Sequence, residues 1–392
     1  MKIGIIGARL SGSYAGLMLA RTGHDVLLFD PDTAGEKPCG GGITAKAWSS
    51  VSWLRGCRLP HTVITFMRLW SRESGWSTLH LRQPILIFAR STLDRALLDD
   101  ALRAGARLVP ERALGFTPAR PGWAVRTARN SYEVEFLIGA DGAKSAVRRA
   151  LAGGFPPTDL SLALGYYLPG RFHPDTVVVA FQERGFQGYL WSFPRTDHAS
   201  VGIVRRLHGA NAADLKARVE GFIEDQYPGA CRARRLYAAR IPCLSRRRLR
   251  RQRVAGPDWA LVGDAAGFAD PVTGEGIYYA LRSAELLAGA LGRGTPLEYE
   301  TSWRHEFGPD LERAAVWRDR FYGGGLLPRS FAGIATALAG RSPTAAELIE
   351  RAVSSPQGYR GIPASLLFRS PFMLLEYLCS RSACRPEPPP VS

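Results

Sequence analysis

Residues 2–12 read KIGIIGARLSG, a short apolar run that passes directly into a glycine-containing turn. The apolar run 2–6 has the length and composition of a buried strand in a parallel sheet. A helical pattern to about Thr22 and a second apolar run, His24–Asp30, come next. We therefore predict that the chain begins with a β-α-β unit.

The turn resembles the dinucleotide fingerprint GxGxxG. Gly7 permits the tight turn, Gly12 permits close packing of helix on strand, and the N–H groups around Ser11 at the helix start can bind a diphosphate. Asp30, 18 residues after Gly12, would accept hydrogen bonds from a ribose. Arg9 replaces the middle glycine, so its side chain should crowd the phosphates unless it turns away or contacts the anion.

Three later segments carry a more specific resemblance. They are RSTLD at 90–94, which opens an amphipathic helix; GADGAKSAVR at 139–148; and VGDAAG at 262–267, which continues to PVTGEGI at 271–277. In these segments the chain resembles the para-hydroxybenzoate hydroxylase superfamily of FAD proteins. The sequence contains no second complete GxGxxG, so a separate nicotinamide domain is not expected.

The superfamily resemblance implies roles for several side chains. Arg90 would help to hold the FAD, Asp141 would anchor the turn of the second segment, and Asp264 would approach the ribityl chain. The turn Gly274–Ile277 would place backbone donors at a helix N-terminus near the flavin ring, where they stabilise negative charge on the reduced flavin.

Two further stretches resemble one family within that superfamily. EKPCGGGI at 36–43 matches the PCGG segment of geranylgeranyl reductases, and YLWSFP at 189–194, followed by Gly202, matches their YxWxFP…GxG segment. Val204 replaces the second glycine of that GxG. The resemblance covers roughly residues 1–290 and implies that FAD is the cofactor.

The resemblance yields one set of predicted cofactor-binding residues. They are Gly7, Ser11, Gly12, Asp30, Cys39, Gly40, Gly41, Arg90, Asp141, Gly263, Asp264, Pro271, Gly274, Gly276 and Ile277. Cys39 is also the predicted catalytic residue, because the family's cysteine is tied to substrate reduction; it would donate a proton or position the substrate, with simple packing as the alternative. No metal site is predicted.

An aromatic run supplies the predicted substrate-binding residues. Tyr189 and Trp191 lie on one face of a strand, because side chains alternate with period two, and Phe193 continues that face. They could form one wall of an apolar tunnel for an isoprenoid chain. The alternative is that these aromatic side chains belong to an ordinary sheet core.

The predicted fold class is α/β, with a Rossmann-type FAD-binding domain, an interleaved antiparallel-sheet substrate domain of α+β type, and a helical C-terminus. We expect a helix at 91–104 with Ser91 or Thr92 as its N-cap, and an antiparallel sheet over 160–205. The predicted domains are FAD-binding at 1–60, 85–155 and 254–295; substrate at 61–84 and 156–253; helical at 296–384; and a disordered tail at 385–392.

The charge of the chain is strongly basic. The formal net charge is +16, and residues 232–253 hold many arginines and no acid. This stretch is either a solvated loop or strand face, or a docking surface for anionic lipid; without a recognition motif, nucleic acid is not an expected partner.

The cysteines and the hydropathy indicate where the chain works. The six cysteines form no CxxC pair, which favours a reducing compartment. No apolar stretch is long enough for a spanning helix. We therefore expect a cytoplasmic protein, with peripheral contact to an anionic membrane surface as a further option.

The predicted function is that of an FAD-dependent oxidoreductase. It would reduce carbon–carbon double bonds of a geranylgeranyl-type lipid or related prenyl substrate by hydride transfer, with NAD(P)H or a reduced electron-carrier protein as reductant. One alternative is an FAD monooxygenase or halogenase on the same scaffold, acting on a small isoprenoid or aromatic substrate. A second alternative is a membrane-docked flavin electron carrier.

Overall fold

The computed structural model describes residues 1–170, 172–230, 235–323, 330–354 and 359–380. The predicted disordered tail lies outside these residues, as do two of the six cysteines.

Sixteen strands are present in the described part of the chain. In chain order they are β1 (Lys2–Ile6), β2 (Asp25–Phe29), β3 (Gly42–Ile43), β4 (His61–Ser71), β5 (Gly75–Phe88), β6 (Arg107–Val109), β7 (Gly115–Pro118), β8 (Trp123–Arg126), β9 (Ser131–Val134), β10 (Phe136–Gly139), β11 (Leu160–Pro169), β12 (Thr176–Phe181), β13 (Gly188–Pro194), β14 (His198–Arg206), β15 (Arg235–Pro242) and β16 (Trp259–Leu261).

The same residues form fourteen α-helices, several of them a single turn. In chain order they are α1 (Leu10–Arg21), α2 (Ala45–Ser50), α3 (Ser52–Arg55), α4 (Arg90–Arg103), α5 (Ala146–Leu151), α6 (Ala212–Gln226), α7 (Arg246–Arg251), α8 (Gly263–Ala266), α9 (Ile277–Gly292), α10 (Glu298–Glu306), α11 (Gly308–Gly323), α12 (Phe331–Ala339), α13 (Pro343–Ser354) and α14 (Ile362–Cys379).

The first sheet contains strands that are far apart in sequence, from β1 at residue 2 to β16 at residue 261. Its order is β16-β10-β1-β2-β6, and every pairing is parallel. The strands are apolar and almost wholly buried, because α1, α4 and α9 pack together against the sheet, and the small antiparallel sheet β7-β8-β9 lies beside β1. The predicted Rossmann-type unit is confirmed.

The second sheet has eight strands in the order β15-β11-β14-β13-β12-β4-β5-β3. The predicted antiparallel sheet over 160–205 is confirmed, since its strands β11, β12, β13 and β14 pair only antiparallel with one another. The complete sheet is mixed, because β12 also pairs with β4 in parallel. These strands are separated by about 100 residues of other structure, so no hairpin dictates their relative direction. β5 runs through the predicted boundary at residue 84, and the division into domains stays a prediction.

The two faces of the second sheet bury different groups. One face packs on α6 through Leu215, Val219 and Ile223. The opposite face lies towards α12 and α13, which pack on β4 and β5. The C-terminal helices therefore close over the sheet, and none of the helices in the described ranges is both long and apolar enough to cross a bilayer.

The predicted cap of α4 is wrong. The helix begins one residue earlier, at Arg90, and its N-cap is Ala89, whose side chain cannot accept a hydrogen bond. Ser91 and Thr92 already lie within the helix. The N–H groups of its first turn are bound instead by a carboxylate from residue 36, which comes from another part of the chain.

The arginine-rich stretch is also more structured than a loop. Its first described part is strand β15, and its second part is helix α7, capped by the Ser245 hydroxyl. Arg246 and Arg250 both pair with Glu312 of α11, at 3.2 and 2.7 Å. Part of the positive charge of this stretch is therefore neutralised within the protein.

The close packing at Gly12 predicts that Gly12→Ala and Gly221→Ala change the free energy of unfolding in opposite directions. A Cβ on Gly12 would lie 1.8 Å from the Gly7 carbonyl oxygen, so Gly12→Ala should lower the free energy of unfolding by about 3 kcal/mol or more. Gly221, inside α6, has no atom within 4 Å of its added Cβ, so Gly221→Ala should raise stability by about 0.5–1 kcal/mol. Urea unfolding measures both, and equal effects would contradict the packing argument.

Candidate functional site

A cavity of about 450 Å³ lies between the two sheets and the C-terminal helices. It is lined by most of the sequence-predicted site residues: Ser11, Cys39, Gly40, Gly41, Arg90, Tyr189, Trp191, Phe193, Asp264, Gly274, Gly276 and Ile277. The remaining predicted residues do not line it: Gly7, Gly12, Asp30, Asp141, Gly263 and Pro271. Those six lie in the turns that follow β1, β2 and β10, in the first turns of α1 and α8, and in the turn before α9.

Glycines bring the predicted segments into contact. A Cβ on Gly7 would lie 2.5 Å from the carbonyl oxygen of Ala140, and one on Gly263 would lie 3.0 Å from Oγ of Ser11. One on Gly276 would lie 3.3 Å from Oδ1 of Asp264. Backbone from distant parts of the chain therefore meets at one end of the cavity, and larger residues would force it apart.

Asp30 is anchored within the protein. Its Oδ2 accepts a hydrogen bond from the Ala8 N–H at 2.8 Å, and its Oδ1 accepts one from the Asp32 N–H at 3.0 Å. The carboxylate therefore holds the fingerprint turn against the end of β2. Its predicted contact with a ribose stays a prediction.

Arg9, which departs from the fingerprint, makes specific contacts. Its guanidinium donates to the carbonyl oxygens of Gly35 and Asp32 and lies 3.4 Å from Oδ2 of Asp94. The side chain therefore turns towards the loop after β2 and towards α4. Helix α1 has no side-chain cap at its N-terminus, so its first N–H groups are available to an anion.

Glu36, at the start of the PCGG stretch, is a site residue that the sequence analysis missed. Its carboxylate accepts hydrogen bonds from the N–H groups of Arg90 and Ser91, at 2.6 and 2.7 Å, and it pairs with the buried guanidinium of Arg195. Burial raises the pKa of Glu36, but Arg195 and the donors at the start of α4 outweigh it, so the pKa lies below its ordinary value.

The same cluster fixes the predicted catalytic residue. The Cys39 carbonyl accepts hydrogen bonds from Arg195 at 2.7 Å and from the Ser200 hydroxyl at 3.1 Å. The Cys39 sulfur accepts one from the Gly41 N–H at 3.3 Å and also interacts with the Arg90 side chain. The thiol therefore lies on the cavity wall in a backbone that neighbouring strands hold in place.

The turn before α9 is shaped by Asp270, a second residue that the sequence analysis missed. Its Oδ1 accepts hydrogen bonds from the N–H groups of Val272 and Thr273, at 2.7 and 2.9 Å, and from the Tyr359 hydroxyl at 3.2 Å. Gly274 adopts a positive φ of 72°. These contacts determine the path of the chain from Pro271 into the helix.

Glu275 lies in this turn and faces the cavity. Its Oε1 accepts a hydrogen bond from the Tyr278 N–H at 2.7 Å. Burial raises the pKa of Glu275 to about 7, which lets the carboxyl gain or lose a proton near neutral pH. Lys37, from the PCGG stretch, pairs with Asp264 at 3.1 Å on the same side of the cavity.

The three predicted substrate-binding aromatics share one face of β13 and line the cavity. The Tyr189 hydroxyl donates to the Thr273 carbonyl, and its ring meets that of Trp191 edge-on at 6.1 Å. Gly202 leaves room for the indole, because its added Cβ would lie 2.5 Å from Trp191 Cζ2. Val204 also lines the cavity, so the departure from the GxG pattern changes its wall.

Comparison with known proteins agrees with these segments. Digeranylgeranylglycerophospholipid reductase 2 of Methanothermobacter thermautotrophicus is 29% identical over 347 residues, which are 80% of this chain and 86% of that protein. Chloroplastic geranylgeranyl diphosphate reductase of Arabidopsis thaliana is 27% identical over 326 residues, 75% of this chain and 66% of that protein. This chain is similar in sequence to geranylgeranyl reductases. No family model matches it.

Solved structures share the fold of this chain. A geranylgeranyl bacteriochlorophyll reductase-like protein of Thermoplasma acidophilum superposes with a TM-score of 0.75 at 21% identity, over 93% of this chain and 98% of that one. A flavin-dependent halogenase superposes with a TM-score of 0.67 at 19% identity, over 87% of this chain and 73% of that one. The predicted resemblance, fold and oxidoreductase class are confirmed.

The far wall of the cavity was not predicted, because no motif marks it. Helices α12, α13 and α14 supply apolar side chains to the lining, among them Leu338, Leu348, Ile349, Val353, Leu366 and Met373. The sequence pattern of an apolar helix face is the same whether that face packs on a core or borders a cavity. Helices α12, α13 and α14 are therefore part of the site.

Because the Glu36 carboxylate is largely buried and pairs with Arg195, we expect Glu36→Gln to lower the stability of the protein by an amount that depends on pH. The variant leaves the Arg195 guanidinium buried without its partner, which should lower the free energy of unfolding by about 3 kcal/mol at pH 7. Because the folded pKa of Glu36 is lowered, its stabilisation is present above its ordinary pKa and is lost as the pH falls through the folded pKa.

Urea unfolding of both proteins between pH 3 and 8 measures this. Glu133→Gln, at an exposed carboxyl in β9, is the control and should change little at any pH. A difference between the native protein and Glu36→Gln that stays constant over the pH range would refute the role of the charge.

Proposed function

We propose that the chain binds one FAD and reduces carbon–carbon double bonds of an isoprenoid lipid. The observation that carries the proposal is the two-part lining of one cavity. Its first end is formed by glycine turns and helix N-termini, and its second end by apolar side chains of α12, α13 and α14. The first part suits a diphosphate and a flat polar ring, and the second suits a hydrocarbon chain.

The residues at the first end fit a dinucleotide. The uncapped N-terminus of α1 offers N–H groups to a diphosphate, and Ser11 and Gly142 lie on the cavity wall beside it. A Cβ on Gly41 would lie 2.2 Å from the Phe88 carbonyl oxygen, so this cradle requires glycine. In the proposal Arg90 and Asp264, which both face the cavity, hold the remainder of the cofactor.

When bound and reduced, FAD would supply a hydride to one alkene carbon, and a proton added to the neighbouring carbon would complete the saturation. The start of α9 faces the same end of the cavity, so its N–H groups and partial positive charge stabilise negative charge there. The aromatic residues Tyr189 and Trp191 line the part of the cavity that would hold the alkene, and they exclude water from it.

Cys39 is the proposed donor of that proton or the residue that positions the alkene. Its thiol lies on the cavity wall between the glycines of the PCGG stretch and the aromatic residues of β13, and its backbone is held by Arg195 and Ser200. A thiol carries the one proton that the addition of a hydride to an alkene requires.

The second end of the cavity favours an isoprenoid over a small aromatic substrate. Its walls from Trp317 to Met373 carry no charged side chain among the lining residues, so a long hydrocarbon can be buried without stranding a charge. A monooxygenase or halogenase is less well supported, because the named sequence relatives are reductases, while halogenases are similar in fold. NAD(P)H or a reduced electron-carrier protein stays the predicted reductant.

The proposal is tested with the purified protein under anaerobic conditions. We expect a yellow protein that releases FAD on heating and, once chemically reduced, adds two hydrogens to each reduced double bond of a geranylgeranyl lipid, seen by mass spectrometry. A colourless protein that cannot be reconstituted with FAD would refute the proposal. Product that forms with oxygen present but not without it would favour the monooxygenase.

The position of Ala335 in the cavity predicts that Ala335→Phe changes the preference for substrate chain length. Ala335 lines the cavity on α12, so a phenyl ring should block the far end and slow reduction of a C20 chain by about tenfold or more relative to a C10 chain. Ala337→Phe, on the same helix but not lining the cavity, should keep the native preference. An unchanged preference in Ala335→Phe would place the substrate elsewhere.

If the thiol acts in the reaction, Cys39→Ala should lose lipid reduction and keep reduction of the bound flavin. Lipid reduction should fall by about 100-fold or more if the thiol donates the proton, while the bound flavin is still reduced at the native rate, as measured by stopped-flow absorbance. Cys57→Ala, at a half-buried thiol outside the cavity, is the control. Native turnover in Cys39→Ala would leave packing as the role of this residue.

A further inference from the structure

Helix α14 has two apolar faces. Its inner face carries Ile362, Leu366 and Met373, which line the cavity. Its outer face carries six large apolar side chains that each expose between 51% and 76% of their surface: Leu367, Phe368, Phe372, Leu374, Leu375 and Leu378. A surface helix ordinarily presents polar residues outward, and an exposed apolar patch of this size marks an interaction surface.

The outer face is continuous and carries no charge of its own. At 100° per residue, the six side chains and Pro371 fall within one arc opposite the three cavity-lining residues. The arc therefore forms an unbroken apolar strip along the helix. Such a strip on an otherwise folded surface is the pattern of a helix that lies in a bilayer interface.

The border of this strip is basic. Arg369 of α14 and the exposed Arg82 both lie near Glu347, at 3.4 and 3.7 Å, so one acid faces two arginines. Of the other acids of α13 and α14, Glu350 is buried, and the Glu376 carboxylate keeps its negative charge while it accepts hydrogen bonds from the Ser342 and Thr344 hydroxyls. Arg341, whose guanidinium lies 5.2 Å from the centre of the Tyr377 ring of α14, offsets the charge of Glu376. The exposed charge next to the strip therefore favours an anionic surface.

We infer that the outer face of α14 docks on a lipid bilayer that contains anionic lipid. The net charge of +16 adds long-range attraction to anionic headgroups. The helix rests on the bilayer without crossing it, since none of the described helices meets the requirements of a membrane span.

The docking has a consequence for substrate entry, which rests on the proposed function. One helix separates the bilayer from the cavity, because α14 contacts lipid with one face and lines the cavity with the other. A prenyl chain can therefore pass from the bilayer along α14 into the cavity without being exposed to water. This route assigns to α14 both membrane contact and selection of a lipid-embedded substrate.

Vesicle co-sedimentation tests the docking independently of turnover. Vesicles of phosphatidylcholine with 30% phosphatidylglycerol should bind the native protein, and Phe368→Glu with Phe372→Glu should weaken binding at least tenfold. Leu114→Glu with Leu297→Glu, at two apolar residues elsewhere that are each 51% exposed, is the matched control and should bind as the native protein does. A second pair, Leu374→Ser with Leu375→Ser, repeats the test with a milder change.

Several outcomes would overturn the inference. They are the absence of vesicle binding by the native protein, equal binding by both α14 pairs and the control, and a native dimer that the α14 pairs dissociate while vesicles stay unbound. In the last case the strip would be an interface between two copies. Equal binding to vesicles of phosphatidylcholine alone would overturn the role of anionic lipid.

Turnover separates this inference from the proposed function. The α14 pairs should reduce a prenylated phospholipid in vesicles at least tenfold more slowly than the native protein, and the same lipid dispersed in detergent at the native rate. Failure of the native protein to reduce the lipid in either form would refute the proposed function, while the sedimentation result would still decide the docking. Equal losses in vesicles and in detergent would overturn the entry route.

Discussion

The site depends on a buried carboxylate that binds one helix and one arginine together. Helix α4 begins at a residue without a capping side chain, so its first N–H groups need an acceptor from elsewhere. Glu36 accepts from Arg90 and Ser91 and pairs with Arg195, which in turn holds the carbonyl of Cys39. One charge thus joins the parallel-sheet unit to the second sheet and sets the position of the thiol between them.

That junction makes a single cavity with two kinds of wall. At one end, main chain from α1, α8 and α9 approaches closely because glycines stand at the contacts, and the first residues of α1 and α9 line the cavity there. At the other end, α12, α13 and α14 add aliphatic side chains. A polar cofactor and a hydrocarbon have opposite solvation requirements, and this division lets one enclosure satisfy both. Asp270 links the ends, because it binds the turn before α9 and the hydroxyl of Tyr359.

Sequence reasoning succeeded where function rests on local backbone chemistry. The turn of Gly7 and Gly12, the turn of Gly274 and the alternation of Tyr189 and Trp191 each follow from a few adjacent residues. It failed where partners are distant in sequence: the cap of α4 comes from Glu36, and the parallel pairing of β12 with β4 crosses about 100 residues. Neither the carboxylate nor the strand carries a local signal of its partner.

The amino-acid sequence by itself determined the β-α-β beginning, the segments that meet at the cavity and the aromatic face of β13, because each depends on short-range periodicity and on glycine at required turns. Only the tertiary structure decided that Arg195 completes the site, that Arg9 turns to the loop after β2, and that the unmarked C-terminal helices close the cavity. The structural role of an apolar or charged side chain depends on the group that it contacts. Packing between segments far apart in the chain determines which group that is.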